Sequence, residues 1–181
     1  MKENISKEKA EMIFKEHSNY IYRTVLYLAK SKELADDVTQ ETFIQAFRKY
    51  DTFDSAKSLR PWLYKIALNI TRNILRKQRW LKFTDRLPER SCLDLVENSV
   101  LKSEEEKELW KQINFLSLKS REVLVLHFYS GFKLKEIADT LGIPLGTCKS
   151  RLNSALNALR KQIPQNEFSF LDEGEELYET V

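Results

Sequence analysis

The densest run of side chains able to do chemistry lies between Arg60 and Lys82. It holds seven cations (Arg60, Lys65, Arg72, Arg76, Lys77, Arg79 and Lys82) and no acid. On a helix, at about 100° per residue, Trp62, Leu63, Ile66, Ala67, Ile70 and Ile74 share one arc. Lys65, Asn69, Arg72, Arg76 and Arg79 fall within roughly 80° of one another on a different side. Their spacing of 4, 3, 4 and 3 keeps a row of cations and an amide aimed one way along several turns. This is chemistry for binding: the cations neutralise phosphates, and Asn69 and Asn73 carry the donor and acceptor needed at base edges. A solvated charged face is the ordinary alternative, yet such a face is normally laced with acids at i,i+4. Phe53, in the preceding loop Asp51–Leu59, together with Trp62 and Tyr64, offers rings that stack on unpaired bases. Packing within the lobe is the alternative for all three rings, and for Trp62, which stands on the apolar arc, it is the better reading.

A second constellation lies just upstream. In Glu33–Tyr50 the residues Leu34, Ala35, Val38, Phe43, Ala46 and Phe47 cover one arc, and Asp37, Gln40, Glu41 and Arg48 the other. Ile44 falls among the polar set. A lone exposed isoleucine is ordinary, but one centred in an acid and amide patch suits an apolar anchor with a polar rim for a basic protein partner.

The third is LKEIADTLGIPLGTCKSRLNSALNALRK, which has the grammar of a helix-turn-helix. Ile137, Ala138 and Leu141 face inward, Gly142 takes the left-handed position at the helix end, Ile143 plugs the corner and Pro144 opens the next helix. On that helix Leu145, Cys148, Leu152, Ala155, Leu156 and Leu159 form the buried arc. Thr147, Lys149, Ser150, Asn153, Ser154 and Asn157 face outward with Arg151 on the flank, a set suited to reading a major groove. Cys148 is then a small core residue. A helical hairpin without a groove to enter is the bland alternative.

The elements that must position these side chains are helices. All four glycines occur at or after Gly131, and before it the only prolines are Pro61 and Pro88, which argues against many tight β-turns. The expected fold class is all-α. Helices are expected at about Ser6–Lys30, Lys32–Tyr50, Arg60–Phe83, Ser103–Phe115, Ser117–Ser130, Lys133–Leu141 and Pro144–Ile163. Pro61 falls in a first turn, where its missing N–H costs little. Two small helical domains follow, residues 1–83 and 103–164, joined by a flexible linker over 84–102, with an acidic tail over 165–181. That tail holds six acids and no Lys or Arg, so the body before it carries six more positive charges than the net +3 of the whole chain.

Other classes fall away. Met1–Ala10 has no apolar core for a secretory signal, and no run approaches the ~18 apolar residues of a membrane span. Cys92 and Cys148 form no CxxC pair, and His17 and His127 are far apart, so no metal set assembles by spacing. No acid cluster joins a His or Lys as a two-metal or general-base site would need. A nucleic-acid enzyme is therefore disfavoured, no catalytic residue or cofactor is expected, and the cytoplasm is the expected compartment.

Two DNA-facing elements and a partner face in this order resemble the bacterial RNA polymerase sigma factors of the extracytoplasmic-function (ECF) type. The likeness runs over roughly Tyr20–Gln162. It is carried by ADDVTQETFIQAFRKYDTFD with its Asp37, Gln40 and Glu41, by RPWLYKIALNITRNILRK, and by LSLKSREVLVLHFYSGFKLKEIADTLGIPLGTCKSRLNSALNALRK. The resemblance implies sigma domain 2 (a helical bundle) followed by sigma domain 4 with its helix-turn-helix. It implies that Asp37, Gln40, Glu41, Ile44 and Arg48 dock on the clamp helices of the largest subunit of core RNA polymerase. Phe53, Lys65, Asn69, Arg72, Asn73, Arg76 and Arg79 would recognise the minus-ten element of promoter DNA, help melt it and capture a flipped base of the non-template strand. Thr147, Lys149, Ser150, Arg151, Asn153 and Ser154 would hold the minus-thirty-five element as duplex, and the linker would thread toward the RNA exit path. Such a protein hydrolyses nothing, and an anti-sigma factor is a further partner of many relatives.

The sequence departs from the family pattern at three places. Cys148 stands where Val is common, Ser154 where Arg is usual, and Leu116-Ser117 where Leu-Pro is usual. Losing the cation at 154 weakens the expected minus-thirty-five contact. The tail has no clear counterpart; it is a solubilising end, or Phe168, Phe170 and Leu171 with their acids dock on a basic face and reduce DNA binding. The competing functional reading is a helix-turn-helix regulator that acts without polymerase.

Overall fold

The computed structural model describes residues 5–83 and 104–161, and every regular element in them is helical. The expected linker, the acidic tail with its docking hypothesis, and Cys92 lie outside the described residues.

Helix α1 (Lys7–Ala29) begins where Ser6 Oγ accepts the N–H of Lys9 at 3.3 Å, filling one of the donors a helix start leaves open. It ends at Lys30, whose φ of 58° is left-handed and whose N–H reaches Leu26 O at 2.8 Å. Glycine usually takes this conformation; here a lysine does. Ser31 then caps α2 (Lys32–Arg48) by accepting from Leu34 N at 3.2 Å. A 3₁₀ turn (Tyr50–Thr52) leads into α3 (Leu59–Phe83). Ile21, Val25 and Leu28 of α1, Ala35, Val38, Phe43 and Ala46 of α2, and Leu63, Ala67 and Leu68 of α3 are all buried. These three helices pack on one another as one lobe.

The second lobe comprises α4 (Glu104–Phe115), α5 (Leu118–Leu124), a π-turn (Val125–Tyr129), α6 (Leu134–Leu141) and α7 (Leu145–Arg160). Ser117 caps α5, accepting from Ser120 N at 3.2 Å, so serine provides the helix start. The expected single helix Ser117–Ser130 instead loosens after Leu124. Ser130 N bonds Val125 O at 3.0 Å, an i→i+5 step, and Gly131 (φ 67°) turns the chain out. Such π-bulges mark functional or strained stretches. The helix-turn-helix corner forms as expected: Gly142 has φ 65°, and Ile143 N bonds Ala138 O at 3.0 Å, the wide bond of a Schellman end. Leu145 corrects one expectation: it is 40% exposed, because it stands in the first turn of α7, ahead of the packed stretch that begins at Cys148.

The lobes are packed together, which a chain of separate bodies on a linker did not anticipate. Tyr27 of α1 stacks on Trp110 of α4 with centroids 3.9 Å apart and planes 9° from parallel. Lys30 Nζ donates to Asn114 O at 2.6 Å, and Thr24 Oγ1 and Ser130 Oγ share a buried hydrogen bond of 3.2 Å. Tyr64 meets Phe132 edge to face at 4.9 Å. Arg60 donates to Ser130 O and spreads its guanidinium over the Phe132 ring at 4.8 Å. The π-turn makes this possible, since it delivers Ser130 and Phe132 to the first lobe. Burial on α3 accordingly extends past the expected arc to Tyr64 and Thr71.

Candidate nucleic-acid and partner interfaces

The α3 stripe is largely realised. Lys65, Asn69, Asn73, Arg76 and Arg79 are all exposed, and Arg76 Nη2 donates to Asn73 Oδ1 at 3.2 Å. This holds one amide and one guanidinium side by side. Arg72 is the exception. Its Nε and Nη2 donate to Glu122 Oε1 and Oε2 at 2.6 and 2.7 Å, so its fork is filled by a carboxylate of the other lobe. That hydrogen-bonded pair raises the Arg72 pKa above its ordinary value, against the opposing effect of burial. Glu122 is 1% exposed; an acid so buried must be paired to avoid a large desolvation cost. In this conformation Arg72 is an interlobe contact and not a free phosphate ligand.

Phe53 is half-buried and packs on Trp62, centroids 5.1 Å apart, with Tyr50 alongside at 5.9 Å. The loop holding it is set locally, since Asp54 Oδ1 accepts from Ala56 N at 3.1 Å and the Asp54 carboxylate pairs with Lys57 at 3.4 Å. Beside this cluster lies a cavity of about 410 Å³, whose wall includes Phe53, Lys57, Trp62 and Lys65 from this lobe, a size typical of small-ligand pockets. Glu136, Asp139 and Thr140 of α6 complete the wall. Sequence reasoning overlooked Trp80, which is 72% exposed beside Arg76 and Arg79. The visible signal was an aromatic inside a cationic run.

On α2, Asp37, Gln40 and Arg48 are exposed and Ile44 is 44% exposed among them. Glu41 is half-buried and accepts from Gln45 Nε2 at 2.8 Å. Phe14, also missed, lies 44% exposed on α1 and contacts Phe43 edge to face at 4.8 Å. It adds apolar surface next to the α2 helix. In α7, Lys149, Ser150, Asn153 and Ser154 are exposed while Thr147 and Arg151 are half-buried. Cys148 is fully buried, and burial pushes its thiol pKa up, which keeps it protonated and inert. Among the described residues no group of His, Cys, Asp and Glu could hold a metal ion, and no helix is long and apolar enough to cross a membrane.

Comparison with known proteins bears on all three surfaces. Residues 13–81 match the model for sigma-70 region 2, and residues 106–159 match the model for sigma-70 region 4. The chain is 31% identical over 158 residues to the ECF RNA polymerase sigma factor SigW of Bacillus subtilis, covering 81% of this chain and 84% of SigW. The chain belongs to the ECF RNA polymerase sigma factors. It is also 34% identical over 154 residues to the ECF sigma factor SigL of Mycobacterium tuberculosis, covering 82% of this chain and 85% of SigL. Among solved structures, it is similar to the sigma factor RpoE of Bartonella quintana in complex with the anti-sigma factor NepR. The TM-score is 0.73 and the identity 26%, over 83% of this chain and 94% of that one. CnrH in complex with the cytosolic domain of CnrY shares the fold, with a TM-score of 0.66 and 24% identity over 86% and 88% of the two chains.

Sigma factors are initiation factors that work with core RNA polymerase at promoters. The first lobe is therefore region 2 and the second region 4. Membership of this family favours that role over a regulator acting alone.

Proposed function

We propose that this chain is an alternative sigma factor of the cytoplasm, whose residues divide three tasks. Asp37, Gln40, Glu41, Ile44 and Arg48 hold the clamp helices of core polymerase, with Ile44 as the apolar anchor in a polar rim. Phe53, Lys65, Asn69, Asn73, Arg76 and Arg79 engage the minus-ten element once its strands part, and Arg72 joins them when Glu122 releases it. Thr147, Lys149, Ser150, Arg151, Asn153 and Ser154 lie along the minus-thirty-five duplex. DNA opening draws on binding energy for phosphates and unpaired bases, with no bond made or broken by the chain and no cofactor. The exposed row of cations and amides on α3 beside an aromatic-walled cavity supports this reading most directly. NepR, the anti-sigma factor bound to RpoE in the similar structure, supports an anti-sigma factor as a further partner here.

Size-exclusion chromatography with bacterial core polymerase tests the proposal. The wild-type chain should co-elute with core, and Ile44→Glu, which puts a charge at the apolar anchor, should abolish co-elution. Tight sequence-selective DNA binding without any co-elution would instead indicate a regulator acting alone.

A further inference from the structure

We propose that Trp80 is a base-stacking residue, the aromatic end of the α3 row, and that it holds an unpaired nucleobase of DNA. This role rests on the sigma reading above and adds a contact that none of the residues assigned there makes. On α3, Asn69, Asn73, Arg76 and Trp80 follow one another at spacings of 4, 3 and 4. At about 100° per residue this keeps all four within roughly 60° of one another. All four are exposed. Trp80 therefore stands on the cationic row itself, one turn beyond Arg76, with Lys77 and Arg79 exposed on its two flanks.

The three tryptophans differ in what they touch. Trp62 packs on Phe53 at 5.1 Å and Trp110 stacks on Tyr27 at 3.9 Å. Trp80 makes no ring contact among the described residues and is 72% exposed. A single exposed apolar side chain is ordinary, but an indole is a large surface to leave in water. This one is framed by Arg76, Lys77 and Arg79 in a run without an acid. Such a frame fits a polyanion whose apolar units are planar rings: the cations take phosphates, and the indole takes the face of a base. Arg76 Nη2 donates to Asn73 Oδ1 at 3.2 Å, which leaves the Asn73 amide N–H groups to meet an acceptor on a base edge. From Asn69 to Trp80 the helix rises about 16 Å, roughly five steps of a stacked strand at about 3.4 Å each. Trp80 thus meets a base well along the strand from the one at Asn69. In a closed duplex both faces of each base are covered by its neighbours, so the contact forms only where the strands have parted.

The test uses the full-length chain, the variants Trp80→Ala and Trp80→Phe, and one mixed-sequence oligonucleotide labelled for anisotropy, as single strand and as duplex. Trp80→Ala should weaken single-strand binding about 5- to 150-fold, the loss that removing one base stack brings, and duplex binding by no more than about twofold. The log–log salt slope should keep its wild-type value in both variants, because no cation is removed. Trp80→Phe should recover part of the lost affinity. In the free wild-type chain, the emission that Trp80→Phe removes should be open to acrylamide, and the single strand should quench it. Equal single-strand affinity in wild type and Trp80→Ala would overturn the stack, as would losses of equal size on single strand and duplex. Acrylamide protection of Trp80 before DNA is added would mean an indole packed on its own chain, and would overturn it too. Association with core polymerase is measured on the same proteins, and Trp80→Ala should co-elute with core as the wild type does. Loss of co-elution in Trp80→Ala alone would place the indole on polymerase and overturn the proposal. Failure of both proteins to co-elute, with the single-strand loss intact, would leave the stack standing and remove the sigma role.

Discussion

The Lys30 ammonium donates to the backbone carbonyl of Asn114 at 2.6 Å, tying the left-handed end of α1 to the last turn of α4. Burial at this junction, with Arg121 nearby as a second and smaller cause, lowers the Lys30 pKa from its ordinary 10.5 to about 8. The native chain thus binds fewer protons than the unfolded chain between those two values. By linkage, the cost of burying this cation is fully present below about pH 8 and is relieved as the pH rises toward 10.5.

We therefore expect the Lys30 amine to titrate near 8 when followed by NMR of its side-chain nitrogen. Lys30→Met should flatten the rise in denaturation midpoint that the wild type shows across that window. A titration midpoint near 10.5 would mean that the amine stays in water and that α1 and α4 do not meet.

Removing cations from the exposed part of the stripe should weaken DNA binding without disturbing polymerase. The double substitution Arg76→Ala/Arg79→Ala is expected to lower the salt slope for single-stranded DNA binding by about 0.7 for each phosphate left unneutralised. Open-complex formation on a promoter should fall while co-elution with core polymerase stays at the wild-type level. Loss of co-elution would place these arginines in the protein interface instead.

Ser154 is exposed on the outward side of α7 and offers no charge there. Ser154→Arg should tighten duplex binding and steepen its log–log salt slope by about 0.9, the effect of neutralising one more phosphate. Thermal stability should change by no more than about 0.5 kcal/mol, as for other surface substitutions. An unchanged slope would show that this side of α7 does not lie along DNA.

The helices, the two lobes and the exposed row of cations and amides on α3 were legible in the sequence because each depends on local information. The i,i+3 and i,i+4 rows of α3 place Lys65, Asn69 and Arg76 on one side whatever the helix packs against. Gly142 and Ile143 form their corner from backbone needs alone. What escaped reading was long-range: Glu122 is an ordinary acid in LKSREVL until folding brings it to Arg72. The π-turn that delivers Ser130 and Phe132 to the first lobe has no periodic signature, since VLHFY fits a regular helix equally well. The exposure of Ile44 was visible from its polar neighbours, but that of Phe14 depends on how α1 sits against Phe43.

The sigma role is tested most directly by run-off transcription from the source organism's own genomic DNA, with core RNA polymerase alone and with the chain added, and the 5′ ends mapped. New start sites should appear that share a two-block upstream motif, that vanish with Ile44→Glu, and that are diminished by Arg76→Ala/Arg79→Ala. A pattern of starts identical with and without the chain, at concentrations that saturate core, would contradict that role.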